Sequence, residues 1–158
     1  MANTQAMTTS FMGELMTATH NFGTAPVRAT GATDSFKAAL FLASATQNAS
    51  TTAYGTSGEV SGAGYSAGGV AVTFGTPPTA TNSSVTAGVA FVTPSASITY
   101  TGVTLATAFD AVLIYNSTQA NKAVSVHTFG SQTITAGTFT LTMPANTTST
   151  ALIRLATT

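Results

Sequence analysis

The chain has no cysteine and no tryptophan, and only 5% of its 158 residues are charged. The missing cysteine excludes disulfide staples and thiolate metal sites. The shortage of charge excludes more. Four basic residues (Arg28, Lys37, Lys122, Arg154) and four acidic ones (Glu14, Asp34, Glu59, Asp110) are the whole supply, where an ordinary soluble domain carries about 25%. Nucleic-acid binding draws on clustered cations that release counterions from phosphates, and four scattered ones form no such cluster. An anionic membrane surface asks for the same polybasic runs. No stretch approaches the roughly 18 consecutive apolar residues of a membrane-spanning helix. Catalytic sites are built mostly from acids, bases and histidines, so the composition points away from an enzyme and towards a structural protein with no cofactor and no metal.

What the chain does have is threonine, about one residue in five, and 44% hydrophobic residues. The hydrophobic content is that of a globular protein and argues against disorder. The length suits one domain with a core of its own. Net charge is zero, and a near-neutral surface favours association. The first residues, Met1-Ala2-Asn3-Thr4-Gln5, carry neither a basic n-region nor an apolar h-region, so a chain made in the cytosol without a secretory signal is expected.

Residues 1–9 are small and polar and read as a flexible N-terminal arm. Ser10 offers a helix N-cap, the pairs Phe11/Leu15 and Met12/Met16 stand at i,i+4, and Glu14 favours the positive end of a helix dipole. A short helix over about 10–19 is expected, its apolar stripe docking on its own domain or on a partner subunit. From Phe36 the period becomes two. Strands are expected at 36–43, 70–74, 85–92, 98–103, 111–115, 123–129, 132–135, 138–143 and 151–155, rich in Val, Ile, Thr, Tyr and Phe. Ala136-Gly137 reads as the turn of a hairpin joining 132–135 to 138–143. Residues 10–158 are therefore expected to form a single all-β domain, one β-sandwich of jelly-roll type with the short helix at its start.

Threonine fits this architecture, since it is β-branched and its hydroxyl wets an outer face without charge. Uncharged Thr/Val strands are adhesive at sheet edges, so covering loops or partners should protect them. The glycine-rich segment Gly55–Gly69 and the run Pro77–Ser84 read as long loops, and loops of that length usually have work to do.

The motifs that hint at chemistry are weak. Gly62-Ala63-Gly64-Tyr65-Ser66-Ala67-Gly68 has the wrong spacing for a nucleotide fingerprint and no helix after it. His127 shares a strand face with Ser125 and Phe129, but no elbow presents a nucleophile. Two histidines and four scattered carboxylates make a poor metal set. Four Asn-X-Ser/Thr sequons, at Asn48, Asn82, Asn116 and Asn146, are what chance supplies in so Ser/Thr-rich a chain. Asp110 and Lys122 flank an expected hairpin, 111–115 turning into 123–129, and are placed to pair across it.

Several stretches resemble one group of proteins. Thr9-Ser10-Phe11-Met12-Gly13-Glu14-Leu15-Met16, His20-Asn21-Phe22 and Asp34-Ser35-Phe36-Lys37-Ala38-Ala39-Leu40-Phe41 are similar to the start of small virion proteins of tailed bacteriophages. So are the run from Thr52-Ala53-Tyr54 through Gly58–Gly69, Tyr115–Ala123 and the Leu152-Ile153-Arg154-Leu155 ending. The strand count resembles jelly-roll cement, or decoration, proteins. That resemblance implies a chain that binds the major capsid protein on the outside of the head, bridges capsid subunits and self-associates, often as a trimer. The resemblance carries over no residue-level map of contacts; the N-terminal segment (Met7, Phe11, Met12) and the glycine-rich segment with its flank (Tyr54, Tyr65) are the contact regions expected. A tail or head-fibre component, or a host-surface adhesin with Tyr54 and Tyr65 as loop aromatics, is the alternative.

Overall fold

The computed structural model describes residues 3–8, 11, 14, 15, 19, 20, 22, 34–76, 78–81 and 88–156. Eight strands follow in chain order: β1 (Ala6–Met7), β2 (Phe36–Leu42), β3 (Val70–Val72), β4 (Thr79–Thr81), β5 (Val89–Val92), β6 (Ile98–Asn116), β7 (Lys122–Leu141) and β8 (Ile153–Ala156). They form two antiparallel sheets, one of five strands in the order β1-β7-β6-β2-β3 and one of three in the order β4-β5-β8. The all-β sandwich is as the residue pattern predicts. Within it the winding is dominated by one hairpin, β6–β7, with β2–β3 beside it. The chain leaves β3 for the smaller sheet and returns as β6 next to β2, a Greek-key-like path.

β2 explains the core. It lies inside its sheet, and five of its seven residues are buried. Phe36, Ala38 and Leu40 join Val112, Ile114, Val124, Phe109 and Ile153 in the main core. Ala39 and Phe41 point the other way, into a second core with Ala45, Ala111, Leu113, Tyr115, Ala123 and Val126, covered by Tyr54. The sheet is thus buried on both faces along β2, and Phe41 is the one large side chain that announces the second face. Truncating a fully buried Phe of this kind costs about 3–5 kcal/mol.

β6 and β7 are longer than expected. Each fuses segments that read as separate strands, and the joins survive as register shifts in the ladder. The expected hairpin at Ala136-Gly137 is not formed. A two-residue type I′ turn needs φ > 0 at both central positions. Here only Ala136 has it (φ 46°), so the chain makes a bulge and continues, and 132–141 pairs with β6. The hairpin at the other end is as expected. Asn116 Oδ1 accepts the N–H groups of Thr118 and Gln119, both at 3.1 Å, and Ala120 and Asn121 take the left-handed conformation.

Of the helix expected at 10–19, Phe11, Glu14 and Leu15 are helical, Thr19 is not, its N–H donating to Glu14 O at 2.9 Å, and the rest of the segment lies outside the described residues. The arm expected at 1–9 lies, in its described part, along the sheet. Ala6 and Met7 pair with Val126 and Ser125 of β7. Thr8 is fully buried, and its Oγ1 donates to Ala123 O and Val124 O. The polar run after Pro77-Pro78 begins with a strand, β4, rather than a loop, because Thr79–Thr81 find a partner in Phe91–Val89.

Candidate functional site

The glycine-rich segment closes a sheet edge. Glu59 bridges to Phe41, and Val60 N donates to Leu40 O at 3.0 Å. Farther on, Thr104 N of β6 donates to Ala63 O at 2.8 Å. Backbone lies on backbone here: a Cβ on Gly62 would sit 2.0 Å from Thr104 O, and one on Gly69 would sit 1.6 Å from Ala38 O. The glycines that resemble a phosphate cradle serve close approach to β2 and β6.

Glu59 organises the most connected polar cluster on this segment. Its Oε2 accepts from the Tyr54 hydroxyl at 2.7 Å. Its Oε1 accepts from the Tyr65 hydroxyl and from Gly68 N, each at 2.7 Å. Tyr65 Oη also accepts from Leu40 N at 3.0 Å. Tyr115 donates to Gly68 O at 2.8 Å, and Tyr100 donates to Ala38 O at 2.8 Å. The rings stack in two pairs, Tyr54 on Tyr115 and Tyr65 on Tyr100. All four tyrosines of the chain therefore meet around one carboxylate. Burial first, and the negative charge of Glu59 second, push all four phenols above their ordinary range. Phenols held protonated in this way are poor bases and poor nucleophiles. What the cluster does is clamp the glycine-rich segment to the sheet.

A second cluster ties the N-terminal segment to the β6–β7 turn. His20 is 7% exposed. Its Nε2 lies 2.7 Å from Glu14 Oε2 and its Nδ1 lies 3.0 Å from Asn116 Nδ2. Asn116 Nδ2 also donates to Asp34 Oδ2 at 2.8 Å, and Gln119 Nε2 donates to Asp34 Oδ1 at 3.0 Å. Burial lowers the His20 pKa and outweighs the upward pull of Glu14. A neutral ring that donates from Nε2 and accepts at Nδ1 satisfies both neighbours. Burial pushes the Glu14 carboxyl up, but its hydrogen bonds from Lys122 and His20 prevail and hold it below the usual range. Lys122 pairs with Glu14, and Asp110 accepts from Asn3 Nδ2. The expected Asp110–Lys122 pair is thus not made. Lys122 stands opposite Asn116, and Asp110 is six residues back along β6, about 20 Å away at strand rise.

The third cluster is the pair that alternation predicts. Ser125 Oγ and His127 Nε2 are 2.9 Å apart. Burial pulls the imidazole down to about 4, so it is neutral at physiological pH. Ser125 is 3% exposed, and no carboxylate orients the ring among the described residues. A nucleophilic serine needs presentation and an oriented base, and this one has neither. Among the described residues no group of three or more His, Asp or Glu side chains is placed to hold a metal ion.

The expected contact residues fall in different environments. Met7 is half-buried on β1, and Phe11 has no exposed surface, packing edge-on to His20 and Phe22. Met12 lies outside the described residues. Tyr54 and Tyr65 are half-buried, their hydroxyls spent on Glu59. Residue-type reasoning flagged both tyrosines but missed Glu59. The available signal was a lone carboxylate between two tyrosines inside a glycine-rich run. No family model, curated protein or solved structure matches the chain.

Proposed function

We propose that this chain is a non-enzymatic virion structural protein, a capsid cement or decoration protein that binds the major capsid protein and bridges capsid subunits. The resemblance of its sequence stretches suggests the particle. One structural observation supports the role: away from its turn, over 98–108 and 123–141, the outer surface of the β6–β7 hairpin is uncharged and rich in hydroxyls. Thr99, Thr101, Thr133, Thr135, Thr138 and Thr140 are exposed there, and no charged residue falls between Glu59 and Asp110 or between Lys122 and Arg154. Such a surface meets another protein without stranding an ion, which a desolvated contact penalises heavily. The Glu59 and His20 clusters fit the same role, since each is consumed in holding a segment to the sandwich.

The mechanism is mass action. A protein that binds the assembled shell and not the broken one stabilises the shell. Its attachment depends weakly on salt, because few charges take part. Counting copies per particle by quantitative mass spectrometry, and locating the chain by electron microscopy, tests the proposal. Hundreds of copies on the head are expected. A handful of copies on the tail would move the chain to the fibre or adhesin class, and absence from particles would end the proposal.

A further inference from the structure

β7 is paired on one side by β6 along its length. On its other side, residues 52–54 and β1 cover only its beginning: Ala53 bridges Lys122, and Ala6 and Met7 pair with Val126 and Ser125. Among the described residues nothing pairs with that side beyond Val126. No strand among the described residues pairs with the edge from His127 to Leu141, where Gly130 O takes a side-chain bond from Gln132, and the residues along it are largely exposed.

Natural sheets guard such edges with charge, proline, bulges or shortness. The terminal strands of the two sheets follow that rule. β1, β3 and β4 have two or three residues each, β4 is preceded by Pro77-Pro78, and β8 carries Arg154. The β7 edge has neither lysine nor proline. Its guards are two bulges, one around Gly130 and one at Ala136. The register shifts between Val103 and Leu105 there and between Tyr100 and Val103 on the facing strand, and Ile98, Thr99 and Tyr100 pair regularly with Leu141, Thr140 and Phe139. The open run beyond the bulge is Gly137–Leu141.

We infer that the Gly137–Leu141 edge of β7 is a self-association surface, occupied by the same edge of a second copy in antiparallel pairing about a two-fold axis near Phe139. Charge selects this occupant. A strand laid on this edge finds no counter-ion on β7 after Lys122, so a charged strand would be left with an unpaired ion beside it. The chain's own edge carries none. Like strands paired antiparallel satisfy one another automatically, since residue 138 of one copy faces residue 140 of the other and the contact closes. Threonine opposite threonine is a favourable cross-strand pair. Two neutral copies also feel no long-range repulsion. The inference concerns backbone pairing and stands apart from the proposal of a capsid role. A three-fold cement arrangement alone would not contain this contact.

Sedimentation equilibrium of the full chain tests it, read together with spin-label distances. The chain has no cysteine, so Thr138→Cys gives a unique label. A dimer at tens of micromolar is expected, with labels about 20 Å apart or less, the strand spacing plus two label arms. The double variant Thr138→Lys/Thr140→Lys sets like charges opposite each other in both halves, so the dimer Kd should rise roughly tenfold or more. The neutral Thr138→Asn/Thr140→Asn should stay within a few-fold of the parent. If the lysine variant fails to fold, the label distance in the Thr138→Cys protein decides. A monomer at 100 µM (roughly the upper end of useful strand-edge affinity), a three-fold trimer without close labels, or a dimer unchanged by the lysines would overturn the inference.

Discussion

Tyr54 and Tyr115 stack with ring centroids 4.5 Å apart and planes 10° apart, and their hydroxyls grip the two ends of one device. Tyr54 donates to Glu59, and Tyr115 donates to the carbonyl of Gly68, whose own N–H donates to Glu59. The glycine-rich segment is thereby tied at both ends to a ring pair on the second core face. A carboxylate that takes three hydrogen bonds is worth more to the fold than an exposed ion pair. Glu59→Ala leaves two phenols and one amide without their acceptor, and a loss of about 3 kcal/mol is expected. Glu59→Gln keeps one acceptor oxygen and should lose less. Urea unfolding with an unchanged m-value checks both.

The same cluster sets a limit at high pH. All four phenols have folded-state pKa values above the unfolded value of 10.0. The fold therefore favours the protonated form. Its contribution is fully present below about pH 10 and is lost as pH rises beyond it. Phenolate absorbance should stay low until the fold opens and then rise with the loss of the circular dichroism signal. Tyrosines ionising one by one with the fold intact would contradict the packing described above.

The sandwich was legible because period-two strands rich in Val, Thr and Phe leave a strong pattern, and 36–42, 98–103 and 123–129 all carry it. The second core face was hidden because Ala39, Ala111 and Ala123 are too small to signal burial, with Phe41 the one large side chain that β2 gives it. The fused strands were hidden because Gly130 and Ala136-Gly137 look like breaks. Glycine in a strand can equally mark a bulge, and only the partner strand decides between the two. Only the local half of the tyrosine cluster, Tyr54, Glu59 and Tyr65, lay within reach of local sequence. Tyr115 joins it through the ladder of β6 on β2 and its bond to Gly68 O, and Tyr100 through its bond to Ala38 O and its ring on Tyr65, all contacts between distant stretches of the chain.

Glycine substitutions separate close approach from conformational strain. Gly69→Ala brings a Cβ within 1.6 Å of Ala38 O at φ +71°, and no side-chain movement relieves a clash with backbone. A loss of about 4 kcal/mol or more, or failure to fold, is expected. Gly102 has φ +66° but open space around it, so Gly102→Ala should cost about 1–2 kcal/mol for the left-handed backbone alone. Gly55 has neither constraint, and Gly55→Ala should change stability by less than about 1 kcal/mol, in the stabilising direction. Equal effects at all three positions would mean that the segment does not lie on the sheet.

Acid should loosen the molecule through its histidines. Burial holds His127 at about 4, below its ordinary value of 6.5, and lowers His20 in the same direction. Between those two pH values the unfolded chain binds the His127 proton and the folded chain does not. Stability is thus full above about pH 6.5 and falls as pH drops towards 4. Glu14, Asp34 and Lys122 face His20, so its share is entangled with theirs. His127 has only Ser125 as a side-chain hydrogen-bond partner among the described residues, which makes it the cleaner probe. His127→Gln keeps a polar group beside Ser125 without a titrating proton. Its melting temperature should vary less than the parent's between pH 6.5 and 4. An identical slope in the two proteins would place the acid sensitivity on His20 and the carboxylates instead.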